Sequence, residues 1–89
     1  MFRKIVKITD KVGADKLYDD KATSRIGRII DDVQSAISVG SRGIFRCVWP
    51  NANKDMVTTK IRSIIVDGDV TIVETLNSFY YLKGVDKLE

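Results

Sequence analysis

Residues 60–75 read Lys60-Ile61-Arg62-Ser63-Ile64-Ile65-Val66, then Asp67-Gly68, then Asp69-Val70-Thr71-Ile72-Val73-Glu74-Thr75. Two β-branched runs around an Asp-Gly pair predict a β-hairpin. Branched side chains suit a pleated surface, and Asp-Gly tolerates the positive φ of a type I′ turn. With Asp67 and Gly68 as the turn, Ile61, Ser63, Ile65, Val70, Ile72 and Glu74 share one face, and Ile64, Val66, Thr71 and Val73 share the other. Both faces are partly apolar. The sheet is therefore expected to curl into a barrel, to be covered by another segment or to dimerise, rather than to lie half exposed.

The pattern extends in both directions. Downstream, Phe79-Tyr80-Tyr81-Leu82 forms another strand after a turn at Leu76-Asn77-Ser78, where Asn suits a tight backbone. Turn parity puts Phe79 and Tyr81 on the first face and Tyr80 and Leu82 on the second. Upstream, Ile44-Phe45-Arg46-Cys47-Val48-Trp49 is a strand that Pro50 must end, followed by a polar loop through Asp55 before Met56-Val57-Thr58-Thr59 resumes. That loop length would place Phe45, Cys47 and Trp49 on the second face. Four strands thus form a meander over about 43–83. Phe2–Thr9 reads as a further strand at a sheet edge, with Arg3, Lys4 and Lys7 guarding it, and 10–23 reads as a polar loop.

Residues 24–40 are ambiguous. Ile26, Ile29, Ile30, Val33 and Ile37 recur at helical spacing between Ser24, a candidate N-cap, and Gly40. Gly27 and the poor helix propensity of Ile and Val favour a bent strand followed by a turn at Asp31-Asp32. The fold expected is mainly β, a small five-stranded SH3-like or OB-like barrel with a C-terminal meander. The alternative is α+β, with one helix at about 24–38 packed on the sheet.

At 89 residues the chain is one small domain, able to bury about 60 to 65% of its unfolded surface in a single modest core. It contains no His, so imidazole general bases, Ser-His-Asp or Cys-His devices and His-ligated metals are excluded. Cys47 is the one cysteine, which excludes an intrachain disulfide, a zinc knuckle and a C-x-x-C pair, and makes the cytoplasm the expected compartment. Neither a secretory h-region nor an apolar run of about 20 residues is found, so no membrane association is expected. Asp19-Asp20, Asp31-Asp32 and Asp67/Asp69 do not match a cation loop, and the glycines do not approach a phosphate-loop spacing. No catalytic, metal or cofactor site is nominated, and no cofactor is expected.

Net charge is +3, unevenly spread. Residues 1–62 carry 13 Lys or Arg against seven Asp or Glu, and 63–89 carry two against five. Such polarity fits a polyanion surface, head-to-tail self-association or a mixed solvated surface. The strand pair and loop over 42–62 bring together Arg42, Arg46, Trp49, Lys54, Lys60 and Arg62. There cations could meet phosphates while an aromatic face stacks a base; otherwise Trp49 belongs to the core and the cations are solubilising.

The stretches Met56-Val-Thr-Thr-Lys-Ile-Arg-Ser-Ile64 and Val73-Glu-Thr-Leu-Asn-Ser-Phe-Tyr-Tyr-Leu82 resemble small uncharacterised β-rich proteins of Gram-positive bacteria and their phages or mobile elements. Those proteins carry a similar Thr-Ser/Thr-x-Val/Ile element and a Glu-Thr-x-Asn-Ser-x-Tyr ending. The resemblance covers about residues 39–82 and implies a compact barrel in a bacterial cytoplasm, but no site. The function expected is a non-enzymatic binding or protein-interaction module, self-associating or docking through a strand edge or apolar face. Sequence-non-specific nucleic-acid binding through 42–62 is the alternative.

Overall fold

The computed structural model describes residues 2–15, 20–52 and 54–85. Six strands, β1 (Phe2–Thr9), β2 (Ile29–Asp31), β3 (Arg42–Trp49), β4 (Lys54–Asp67), β5 (Val70–Thr75) and β6 (Phe79–Val85), close into an antiparallel barrel. Each strand neighbours the next in the chain, and β6 returns to β1. The small β-barrel read from the sequence is therefore present, with six strands in place of five. One short helix, α1 (Asp20–Arg25), lies before β2.

Residues 24–38 follow the bent-strand reading: α1 ends at Arg25, β2 occupies 29–31, and the chain turns after Asp31. No helix over 24–38 forms, because Gly27 takes φ +90°, outside helical space, and the segment's isoleucines go into the barrel wall. The polar loop expected over 10–23 is interrupted at its end by α1, and 16–19 lie outside the described residues. β1 is not an edge strand. It pairs with β2 through Phe2–Lys4 and with β6 along its whole length, since closure removes that edge.

In the hairpin, Asp67 pairs with Val70, so the turn residues are Gly68 and Asp69, one position later than expected. Gly68 carries the positive φ, +62°, that the tight connection needs. The shift leaves face parity intact. Val73, Tyr80 and Leu82 point inward, while Ile65, Ile72 and Tyr81 point outward. Ile61 is the exception: a bulge between Ile61 and Ser63 swings it off the first face, and it is fully buried opposite Thr75. Of the three residues expected on the second face, Phe45 and Cys47 are fully buried and Trp49 is half-buried, and Phe45 meets Tyr80 edge to face at 5.3 Å. β4 begins at Lys54, so the preceding loop is shorter than the run to Asp55 suggested.

β4, 14 residues long, has two halves. Its first half pairs with β3, from Cys47–Lys54 up to Arg42–Lys60, and its second half, from Ile61, pairs with β5. Bulges on both ladders mark the bend between them. At that bend β3 passes so close that a Cβ on Gly43 would lie 2.7 Å from Thr58 Oγ1, which is why a glycine stands there. Each half therefore has one strand neighbour and one other edge.

Candidate functional site

The free edge of the first half of β4 faces α1. The Ile44 backbone exchanges hydrogen bonds with Ala36, so the opposite residue, Val57, turns its own carbonyl away from β3 and into this seam. Arg25, the last residue of α1, fills the gap. Its Nη2 donates to Val57 O at 3.1 Å and its Nη1 donates to Tyr80 Oη at 2.8 Å. Arg25 retains only 9% of its exposure, yet it has no carboxylate partner among the described residues. A desolvated guanidinium without a counter-ion is an unusual arrangement.

Beside it opens a pocket of about 150 Å³, bordered by Arg25, Arg42, Thr59, Asn77, Ser78 and Tyr80. No carboxylate lines it among the described residues. Arg42 donates through Nε to Thr58 O at 3.2 Å, which orients its fork here, and it too has no ion pair. Thr59 Oγ1 is buried without a hydrogen-bond partner. On the other side of Arg25 a second opening is bordered by Arg28, Lys54, Asp55 and Met56. Its one described carboxylate, Asp55, is held by Arg46 at 3.0 Å. The seam is thus a cationic, donor-rich track with Arg25 at its centre. Such a surface can grip an anion by forked, charge-assisted hydrogen bonds.

The six residues singled out over 42–62 do not form one surface. Arg42 and Lys60 are cross-strand neighbours, both exposed, with Arg42 bordering the pocket. Arg46 is engaged by Asp55. Lys54 is exposed at the second opening, and Arg62 is exposed at the bulge beyond the bend. Trp49 is half-buried, opposite Ile29 and before a cis bond to Pro50.

Cation and aromatic pairs do occur, but elsewhere. Lys7 sits 5.4 Å from the Tyr81 ring centre and Lys11 sits 4.7 Å from that of Phe79. Lys11 also pairs with Glu74, which accepts from Ser63 Oγ at 2.8 Å. The Lys11 hydrogen bond first, and then that of Ser63, hold the Glu74 carboxyl below the usual carboxylate range. Lysines already cover these rings, so the patch secures β1 to β6 and is not a free stacking platform.

Sequence reasoning missed Arg25, Thr59, Ser78 and Tyr80. Three of them lie in the two stretches that carry the resemblance, which converge here from β4 and the β5–β6 turn. Part of both motifs is structural. Thr58 Oγ1 accepts from Gly43 N–H and donates to Thr59 O, and Ser78 N–H donates to Thr75 Oγ1. Among the described residues no cluster of three or more acidic or Cys side chains could hold a metal, and no helix is long and apolar enough to cross a membrane. Family models, curated proteins and solved structures give no match to the chain.

Proposed function

We propose that the protein is a non-enzymatic binding module that receives an anionic group of its partner, a phosphate or a carboxylate, in the seam beside Arg25. One observation carries this reading: a guanidinium about nine-tenths buried, with no carboxylate partner among the described residues, stands next to a second arginine that has no ion pair there and to a hydroxyl without a hydrogen bond. An anion there offsets the desolvated charge and gives an acceptor to the N–H groups that the bonds to Tyr80, Val57 and Thr58 leave over. The buried lone thiol of Cys47 suits a reducing compartment, in keeping with a cytoplasmic, bacterial or phage setting.

A ligand bound to the folded state alone raises stability by RT ln(1 + [L]/Kd). At fixed ionic strength, added inorganic phosphate is expected to raise the melting temperature of the wild type but not of Arg25→Met, with Arg42→Met intermediate. Acetate in a parallel titration separates carboxylate from phosphate preference. An equal rise in the wild type and in Arg25→Met removes the reading.

The second reading, nucleic-acid binding, draws on the continuation of the track past Arg25 to Arg28 and Lys54. It predicts that a single-stranded oligonucleotide binds more tightly than inorganic phosphate. Its affinity should fall steeply with salt, because each phosphate contact releases a counter-ion. Salt-independent or undetectable oligonucleotide binding at low ionic strength removes it.

A further inference from the structure

The second half of β4 has the opposite problem, an edge with nothing across it among the described residues. Asp67 and Val70 flank a two-residue turn and exchange both backbone hydrogen bonds, so Asp67, Ile65 and Ser63 direct their backbone to β5. Ile64 and Val66 direct theirs the other way. The preceding segment reaches only as far as Ile61, where Gly40 N–H donates to Ile61 O at 2.9 Å and Ile61 N–H donates to Ser41 O at 2.8 Å. Beyond that, no backbone group among the described residues takes up this edge.

The edge is also apolar. Ile65 is 51% exposed and Val66 is 73% exposed, and Ser63-Ile64-Ile65-Val66 contains no Lys, Arg, Pro or acid. Natural sheets guard an open edge with such residues, and an unguarded β-branched edge is a pairing surface.

We propose that this edge pairs with the same edge of a second copy, antiparallel about a two-fold axis through Ile65. The register follows from three constraints. Opposed residues must share a face, and residues with outward backbone groups must oppose each other. Only an axis through Ile65 matches both Ile64 and Val66, where an axis through either of them would set the other against the bulge at Arg62 or the turn at Gly68. Ile64 of each copy then exchanges hydrogen bonds with Val66 of the other, Ile65 meets Ile65, and Ser63 lies opposite Asp67. Charge selects the direction. Arg62 and Asp67 stand at opposite ends of the segment, so the antiparallel arrangement sets each Arg62 beside the other copy's Asp67, whereas parallel pairing would align like with like. An isologous contact of this kind joins two barrels at their hairpins and leaves the Arg25 seam free.

Sedimentation velocity of the full chain from micromolar to millimolar concentration tests this, with variants on the outward face where the monomer fold does not depend on them. The wild type is expected to be a concentration-dependent dimer. Ile65→Lys, which sets two ammonium groups against each other at the axis, should weaken it by about tenfold or more. Asp67→Arg should weaken it, and Arg62→Asp combined with Asp67→Arg should restore it. In the wild-type dimer the Ile64 and Val66 amides should exchange slowly, and in Ile65→Lys quickly. A wild type that stays monomeric over the whole range, or a dimer indifferent to Ile65→Lys, overturns the proposal. A charge swap that fails to restore dimerisation overturns the antiparallel register. Thermal melts of each variant identify any that fails to fold, and the phosphate titration reads the seam separately.

Discussion

The two halves of β4 are one strand with two different edges. In the first half, the edge away from β3 receives a side chain, the Arg25 guanidinium on Val57 O, and becomes a polar seam lined by cations. In the second half, the edge away from β5 receives nothing among the described residues and exposes Ile65 and Val66. Both arise because a 14-residue strand bends between two partners, each covering only part of it. A free edge thus acquires chemistry from whatever lies across it. An arginine makes a place for an anion, whereas an empty edge leaves a strand able to take another strand.

The strongest test of this contrast uses one residue type on both sides of the bend. Ile61 is fully buried where the halves meet, and Ile65, four residues on, is half exposed. Ile61→Ala is expected to destabilise the protein by about 2 to 5 kcal/mol through lost burial and the cavity left behind. Ile65→Ala should change stability by no more than about 0.5 kcal/mol, as at an ordinary surface position. Urea unfolding at a concentration where the protein is monomeric reads both. Equal losses would mean that the bend does not divide the strand as described.

A smaller effect is expected at the hinge of the first half. Thr58 Oγ1 accepts the buried Gly43 N–H at 2.9 Å and donates to Thr59 O at 2.7 Å. Thr58→Val keeps the shape and removes both bonds, leaving a buried donor unpaired, a cost of about 1 to 3 kcal/mol. Ser63→Ala, past the bend, removes a half-exposed bond to Glu74 and should cost less than about 1 kcal/mol. The reverse order would place the critical polar contact in the second half.

The extent to which this was legible in the sequence differs between the same two regions. The hairpin is legible from the β-branched runs around Asp67-Gly68, and parity groups Val73, Tyr80 and Leu82 on one face, but both faces are partly apolar in sequence and it is barrel closure that makes this one the interior. A one-residue shift of the turn left that assignment unharmed, because pairing moved by two. The bulge at Arg62 has no residue signature, so simple alternation puts Ile61 on the wrong face and does not show the bend that gives β4 its two edges. Arg25 was harder still. It lies in the segment whose helical spacing competes with the favoured bent-strand reading, and its burial results from a gap between distant elements. Only the convergence of Thr58-Thr59 with Ser78 and Tyr80, both inside the quoted motifs, carried a trace of the seam.

The finest distinction between the halves is electrostatic. Glu74 lies outside the second half of β4, tied to Ser63 at the bulge and to Lys11 after β1. Its carboxyl is held below the usual range chiefly by the Lys11 hydrogen bond, so the folded state binds this proton less readily than the unfolded chain. The linked stability is therefore complete above the unfolded carboxylate value of about 4.3 and disappears as pH falls through the lower folded value. Between neutrality and about pH 3, the wild type should lose stability more steeply than Glu74→Gln, which has no charge there to lose. Lys11→Met should flatten the curve in the same way by removing the partner that depresses the carboxyl. Urea midpoints at matched ionic strength read the difference, and parallel curves for wild type and Glu74→Gln would show that the contact exerts no hold on folding. The seam holds its cation without a described carboxylate, so the pH response of this contact belongs to the far half of the strand.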